Sequence, residues 1–165
     1  MSQDALGRSP LFAGLESGEL SLVVAGAQRR SVPAGHVFIT MGSANEALFV
    51  VLAGSVDVTR PGVDADVSLA SLEAGSVFGE MTFLDGSRAA ATVTASEETE
   101  VMELRSEHLQ EIFSQNSELA VKLWRNLALE LRRRLIRTDE LVDYYADLTQ
   151  VLRDNPDSAG LLGDI

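Results

Sequence analysis

The segment from Phe78 to Val93 places Gly79, Glu80 and Arg88 within one short loop, together with the small residues Ala89, Ala90 and Ala91. Those types suit the capture of a phosphate ester carried on a sugar. Backbone N–H groups at the start of a helix hold the anion, and a glycine lets the chain approach closely. An arginine neutralises the charge, and a glutamate accepts a hydrogen bond from a sugar hydroxyl. Each of the four parts has a candidate here. The competing reading is structural, with Asp85-Gly86 a turn and Glu80 a partner for Arg88.

The same segment resembles the phosphate-binding cassette of the cyclic nucleotide-binding domain family, which reads roughly F-G-E-[LM]-A-L-L-x-x-x-P-R-[AS]-A-T-V. That family includes the catabolite activator proteins, the regulatory subunits of cyclic-AMP-dependent kinase and the cyclic-nucleotide-gated channels. Carried over residue by residue, the resemblance puts Gly79 and Glu80 on the ribose side. It makes Thr82 the small residue whose backbone meets phosphate and Ala90 the amide donor after the arginine. Counted from Phe78, the family's arginine falls on Ala89 and its proline on Arg88. The candidate binding residues are therefore Gly79, Glu80, Met81, Thr82, Arg88, Ala89, Ala90 and Thr92. Two outcomes follow for the altered position. Either a local shift of the loop returns the Arg88 guanidinium to the pocket, or Arg88 points to solvent and the pocket is uncharged. The difference matters, because losing one partner of a buried charge-assisted contact costs roughly 2–5 kcal/mol.

The elements that would position this loop are legible as short β-rich runs, His36 to Thr40, Ala47 to Leu52, Ser55 to Thr59, Val67 to Leu72, Ala91 to Ala95 and Glu100 to Leu104. Pro33-Ala34-Gly35, Gly42, Gly54, Pro61-Gly62, Gly75 and Gly86 separate them, a spacing that suits a sandwich or jelly roll. The resemblance implies the second: a mainly β fold with α, an eight-stranded jelly roll with an N-terminal helix and a long C-terminal helix. Ser17-Gly18-Glu19-Leu20 opens a capped helix running to about Ala27. Further helices are predicted from Ser106 to Gln115 and from Ser117 to about Arg153. The last carries a seam of nearly heptad spacing, Trp124, Leu127, Leu131, Leu135, Thr138, Leu141, Val142, Tyr145, Leu148 and Leu152. The expected division is a leader at 1–8, a ligand-binding domain at 9–116, a dimerisation helix at 117–154 and a flexible tail at 155–165.

Composition narrows the function. A net charge of -12 with pI about 4.5 argues against nucleic acid, whose binding draws most of its affinity from Lys and Arg on phosphates. The residues after Asn155 are too few for a helix-turn-helix unit, so no DNA is expected as partner. Arg132, Arg133, Arg134 and Arg137 read as a solvated helix face or a patch for an acidic partner. Nothing resembles a membrane span or a signal peptide, which points to the cytoplasm. With no cysteine and only His36 and His108, the chain lacks the clustered ligands of a metal-dependent enzyme on a similar scaffold.

The expectation is a non-catalytic module that senses cyclic AMP or cyclic GMP, without metal, and signals through a homodimer of 117–154 to a protein partner. The alternative is a ligand-independent scaffold of the same fold. In the family the long C-terminal helix covers the base, which makes Trp124, Arg137, Thr138 and Tyr145 the available lids. The hinge would lie near Gln115 to Ser117.

Overall fold

The computed structural model describes residues 6–63 and 65–154, so the extreme leader and the tail at 155–165 lie outside the described residues. The chain divides into two compact units, Met1–Leu127 and Ala128–Ile165.

In the first unit, helix α1 (Ser17–Ala25) starts one residue earlier in its capping than the sequence suggests. Glu16, not Ser17, is the N-cap, and the Glu19 carboxylate accepts from the Glu16 backbone N–H at 2.8 Å. Eight strands follow among the described residues: β1 (Gln28–Val32), β2 (Val37–Ile39), β3 (Ala47–Ala53), β4 (Ser55–Pro61), β5 (Asp66–Glu73), β6 (Val77–Phe78), β7 (Thr92–Ala95) and β8 (Thr99–Arg105). Helix α2 (Glu80–Asp85) lies between β6 and β7, α3 (Ser106–Gln115) follows β8, and α4 (Ser117–Asp154) comes last.

The expected mainly β, eight-stranded jelly roll is corrected. The fold is mixed α/β, with two separate four-stranded antiparallel sheets ordered β1-β8-β3-β6 and β2-β7-β4-β5. Neither sheet closes on itself, so each keeps two edges. The reason lies in the edge strands. β6 has two residues and β2 three, too few ladder bonds to carry pairing around a corner, and the register slips at Val37/Ile39, Val51/Ala53 and Val58/Thr59.

Strand β3 explains how the two layers share one core. Its residues from Ala47 to Leu52 are all buried, because both faces are covered. Leu48, Val50 and Leu52 join Met102 and Leu104 of β8 under Val23, Leu109, Ile112, Leu119, Leu123 and Leu127 of the helices. Phe49 and Val51 turn the other way and meet Ile39, Val56, Phe78, Val93 and Val101 between the sheets. A strand buried on both faces must be apolar throughout, which is why this one carries no alternation.

Two polar clamps fix the helices around this core. Asn126, buried on α4, donates through Nδ2 to the Leu11 and Ala13 carbonyls at 2.9 and 2.8 Å. Asn126→Leu strands both acceptors, and chemical denaturation is expected to show a loss of about 1–3 kcal/mol. Lys122 Nζ meets both Glu19 oxygens at 2.8 and 3.0 Å. The Lys122 hydrogen bond holds the Glu19 carboxyl below its ordinary 4.5, and the same bond holds the Lys122 ammonium above 10.5. A depressed carboxylate stabilises the fold above its unfolded pKa and stops doing so as pH falls through the folded value. A raised ammonium does the same below 10.5 and loses it as pH climbs. The stability difference between the native chain and Glu19→Gln is therefore expected to be full at neutral pH and to fade in acid below about 4.5, as read by denaturation at a series of pH values.

In the second unit α4 continues to Asp154. Glu130 pairs along the helix with Arg133 Nη1 at 3.3 Å and Arg134 Nε at 3.5 Å, and the Thr138 hydroxyl donates to the Arg134 carbonyl at 3.0 Å. The side chains of Tyr145, Leu148 and Leu152, part of the predicted seam, lie outside the described residues.

Candidate functional site

Gly79 ends β6 in the left-handed region, with φ 83°, and serves as the N-cap of α2. A Cβ there would sit 2.7 Å from the Ala47 carbonyl oxygen and 2.9 Å from Asn45 Nδ2, so both the backbone angle and the space demand glycine. Glu80, the first helical residue, is buried, with 4% of its surface exposed. Thr82 is buried too, and its hydroxyl donates to the Gly79 carbonyl at 3.0 Å.

Asn45 organises this turn and was not among the residues singled out from sequence. Its Nδ2 donates to the Ala47 carbonyl at 2.6 Å and to Thr82 Oγ1 at 2.9 Å, and lies 3.4 Å from the Gly79 carbonyl. Asn45 is 34 and 37 positions away from Gly79 and Thr82, so only the pairing of β3 with β6 brings them together. Sequence spacing carries no trace of it.

The second half of the loop is fastened to the β2–β3 connection. Gly42 N–H donates to the Ala89 carbonyl at 2.8 Å, and Ala89 N–H donates to the Ser43 carbonyl at 2.9 Å. Met41 N–H donates to Thr92 Oγ1 at 3.1 Å, and Arg88 Nη1 donates to the Gly42 carbonyl at 2.8 Å. Arg88 and Ala90 are exposed, Ala89 is buried, Thr92 is half-buried and Met81 is largely exposed. Hydrogen bonds from Ser87 hold the Asp85 carboxyl below its ordinary 3.8, which fixes the turn at the end of α2.

Of the four predicted lids, Trp124 stands against the loop. Its ring stacks on Phe83 of α2 at 5.6 Å between centroids and meets Phe113 of α3 at 5.8 Å. Arg137 and Thr138 belong to the second unit. The two histidines are engaged separately. His36 Nε2 lies 3.3 Å from Arg30 Nη2, whose Nη1 reaches Glu103 at 2.9 Å, and His108 Nε2 donates to the Val23 carbonyl at 3.3 Å. Among the described residues no group of three or more His, Cys, Asp or Glu is placed to hold a metal, and no helix is long and apolar enough to cross a membrane.

The family model described as "Cyclic nucleotide-binding domain" matches residues 29–116. The chain is 35% identical to the Cyclic AMP receptor protein of Thermus thermophilus over 82% of its own length and 61% of that protein's. It is 34% identical to a Cyclic nucleotide-gated potassium channel of Mesorhizobium japonicum over 74% of its length and 33% of the channel's. Among solved structures, the N-terminal domain of a transcriptional regulator from Streptomyces coelicolor superposes with a TM-score of 0.70 at 28% identity, covering 84% of this chain and 95% of that one. The chain thus spans less than two thirds of either curated relative.

Proposed function

The chain belongs to the cyclic nucleotide-binding domain family, and from that premise we propose that it is a non-catalytic regulatory module that takes a cyclic nucleotide in the Gly79–Thr92 loop. Glu80 accepts the ribose hydroxyl, the Ala90 amide meets the phosphate, and Arg88 leaves the Gly42 carbonyl to supply the cation. Occupancy passes through a homodimer built on α4 to a protein partner. The observation that carries this reading is the buried Glu80 carboxylate, set directly after a left-handed glycine. A carboxylate at the first position of α2 suits a hydrogen bond from a sugar hydroxyl, and a charge-assisted bond of that kind is about twice as strong as a neutral one.

A second reading, a scaffold that works without ligand, is favoured by one specific observation. Arg88 is exposed and bonded to Gly42, while the position that holds arginine in the family pattern carries the buried Ala89. Isothermal titration with cyclic AMP and cyclic GMP separates the two. Sensing predicts micromolar binding that Arg88→Ala weakens by roughly 30-fold or more, the equivalent of at least about 2 kcal/mol. No heat with millimolar ligand, or binding indifferent to Arg88→Ala, would leave the scaffold.

A further inference from the structure

Strand register gathers a second set of charges away from the Gly79–Thr92 loop. Ala47 lies opposite Arg105 and Phe49 opposite Glu103 on the β3–β8 ladder, so the four side chains share one side of the sheet. With Asn45 and Glu46 of the β2–β3 connection they line an open cavity of about 270 Å³. Pockets for drug-sized ligands run from roughly 300 to 1,000 Å³, so this one suits a smaller molecule.

The charges in its wall are only partly matched. Glu103 Oε2 accepts from Arg30 Nη1 at 2.9 Å, and the other oxygen of that carboxylate makes no hydrogen bond among the described residues. Glu46 and Arg105 line the same cavity, yet among the described residues neither side chain makes a hydrogen bond or an ion pair, even with the other. The wall is therefore neutral in sum but divided. A lone anion on Arg105 would meet the like charge of Glu46, and a lone cation at the carboxylates would meet Arg105. A molecule carrying both charges satisfies both ends.

We propose that this cavity binds a small zwitterion, an α-amino acid, with its carboxylate on Arg105 and its ammonium on Glu46 and Glu103. A guanidinium offers a carboxylate two parallel N–H bonds, and an ammonium has three donors for the two acidic side chains. Ala47 and Phe49, both buried, give the amino-acid side chain an apolar wall. Asn45 Nδ2 is already committed to the Ala47 carbonyl and Thr82 Oγ1, so the occupant sits one side chain away from the Gly79 turn. It uses none of Gly79, Glu80 or Arg88, and the proposal is independent of nucleotide binding.

The test is an NMR titration of the ¹⁵N-labelled native chain with each of the common L-amino acids to millimolar concentration. Propionate and propylamine, which carry one charge each, serve as half-ligands. At least one amino acid should shift the amide signals of Glu46, Glu103 and Arg105 saturably, and both half-ligands should bind roughly tenfold more weakly or worse. Arg105→Gln and Glu46→Gln should each weaken the amino acid by a similar factor. Both residues are exposed, so the melting temperatures of the variants should stay at the native value. Propionate binding as tightly as the amino acid would mean an anion site only and overturn the proposal. So would the absence of saturable shifts with every amino acid, or binding that both substitutions leave unchanged. None of these outcomes bears on the titration with cyclic nucleotide.

Discussion

Gly79→Ala is expected to lower the unfolding free energy by about 2–5 kcal/mol, from roughly 1–2 for a left-handed alanine and roughly 1–3 for overpacking. The first contribution follows from φ 83°, and the second from a Cβ placed 2.7 Å from the Ala47 carbonyl oxygen. That oxygen is backbone within a buried strand and has little room to move. Gly86→Ala separates the two effects. Gly86 is also left-handed, with φ 68°, but a Cβ there meets nothing within 4 Å, so only the conformational cost of about 1–2 kcal/mol remains. Thermal melts of the two variants should differ by about 2–4 °C for each kcal/mol between them. Equal melting temperatures would mean that β3 yields to the added methyl and that the Asn45 clamp does not hold the turn.

What the sequence disclosed and what it withheld divide along physical lines. The run from Ala47 to Leu52 reads as a strand because a segment covered on both faces has to be apolar throughout. The helices at Ser106–Gln115 and Ser117–Asp154 announce themselves by period and length. β1 was missed, since Gln28, Arg29, Arg30 and Ser31 leave most of the strand at the surface, where Arg30 pairs with Glu103. β6 was missed because two residues make no pattern. Closure was read wrongly for a related reason. Whether a sheet closes depends on its edge strands, here the short β2 and β6, and local composition does not report edge pairing. At the loop, Gly79 and Glu80 could be singled out because a glycine, a carboxylate and the downstream Arg88 fall within one short stretch, whereas Asn45 acts across 37 positions and has no local signature. Trp124 reads from the sequence as a seam residue and as one of four available lids. Its stack on Phe83 is a fact of packing.

Glu80→Gln is expected to reduce affinity for cyclic nucleotide by about 10- to 150-fold, the equivalent of roughly 1.5–3 kcal/mol for a hydrogen bond to a charged group. The substitution keeps the shape of a side chain that is 4% exposed, so packing is preserved and the loss falls on the acceptor. A ribose hydroxyl gives its proton more strongly to a carboxylate than to an amide oxygen, because charge-assisted bonds are about twice as strong. The control is the 2′-deoxy analogue. If Glu80 receives that hydroxyl, the native chain should bind the analogue as weakly as Glu80→Gln binds the full nucleotide, and the variant should barely distinguish the two ligands. If instead Glu80 is held only by its neighbours in the fold, Glu80→Gln will lower the melting temperature while leaving the ratio of the two affinities unchanged. Titration and melting thus read different roles of one residue. The ratio of affinities decides between a carboxylate kept for a ligand and one kept for the turn that follows Gly79.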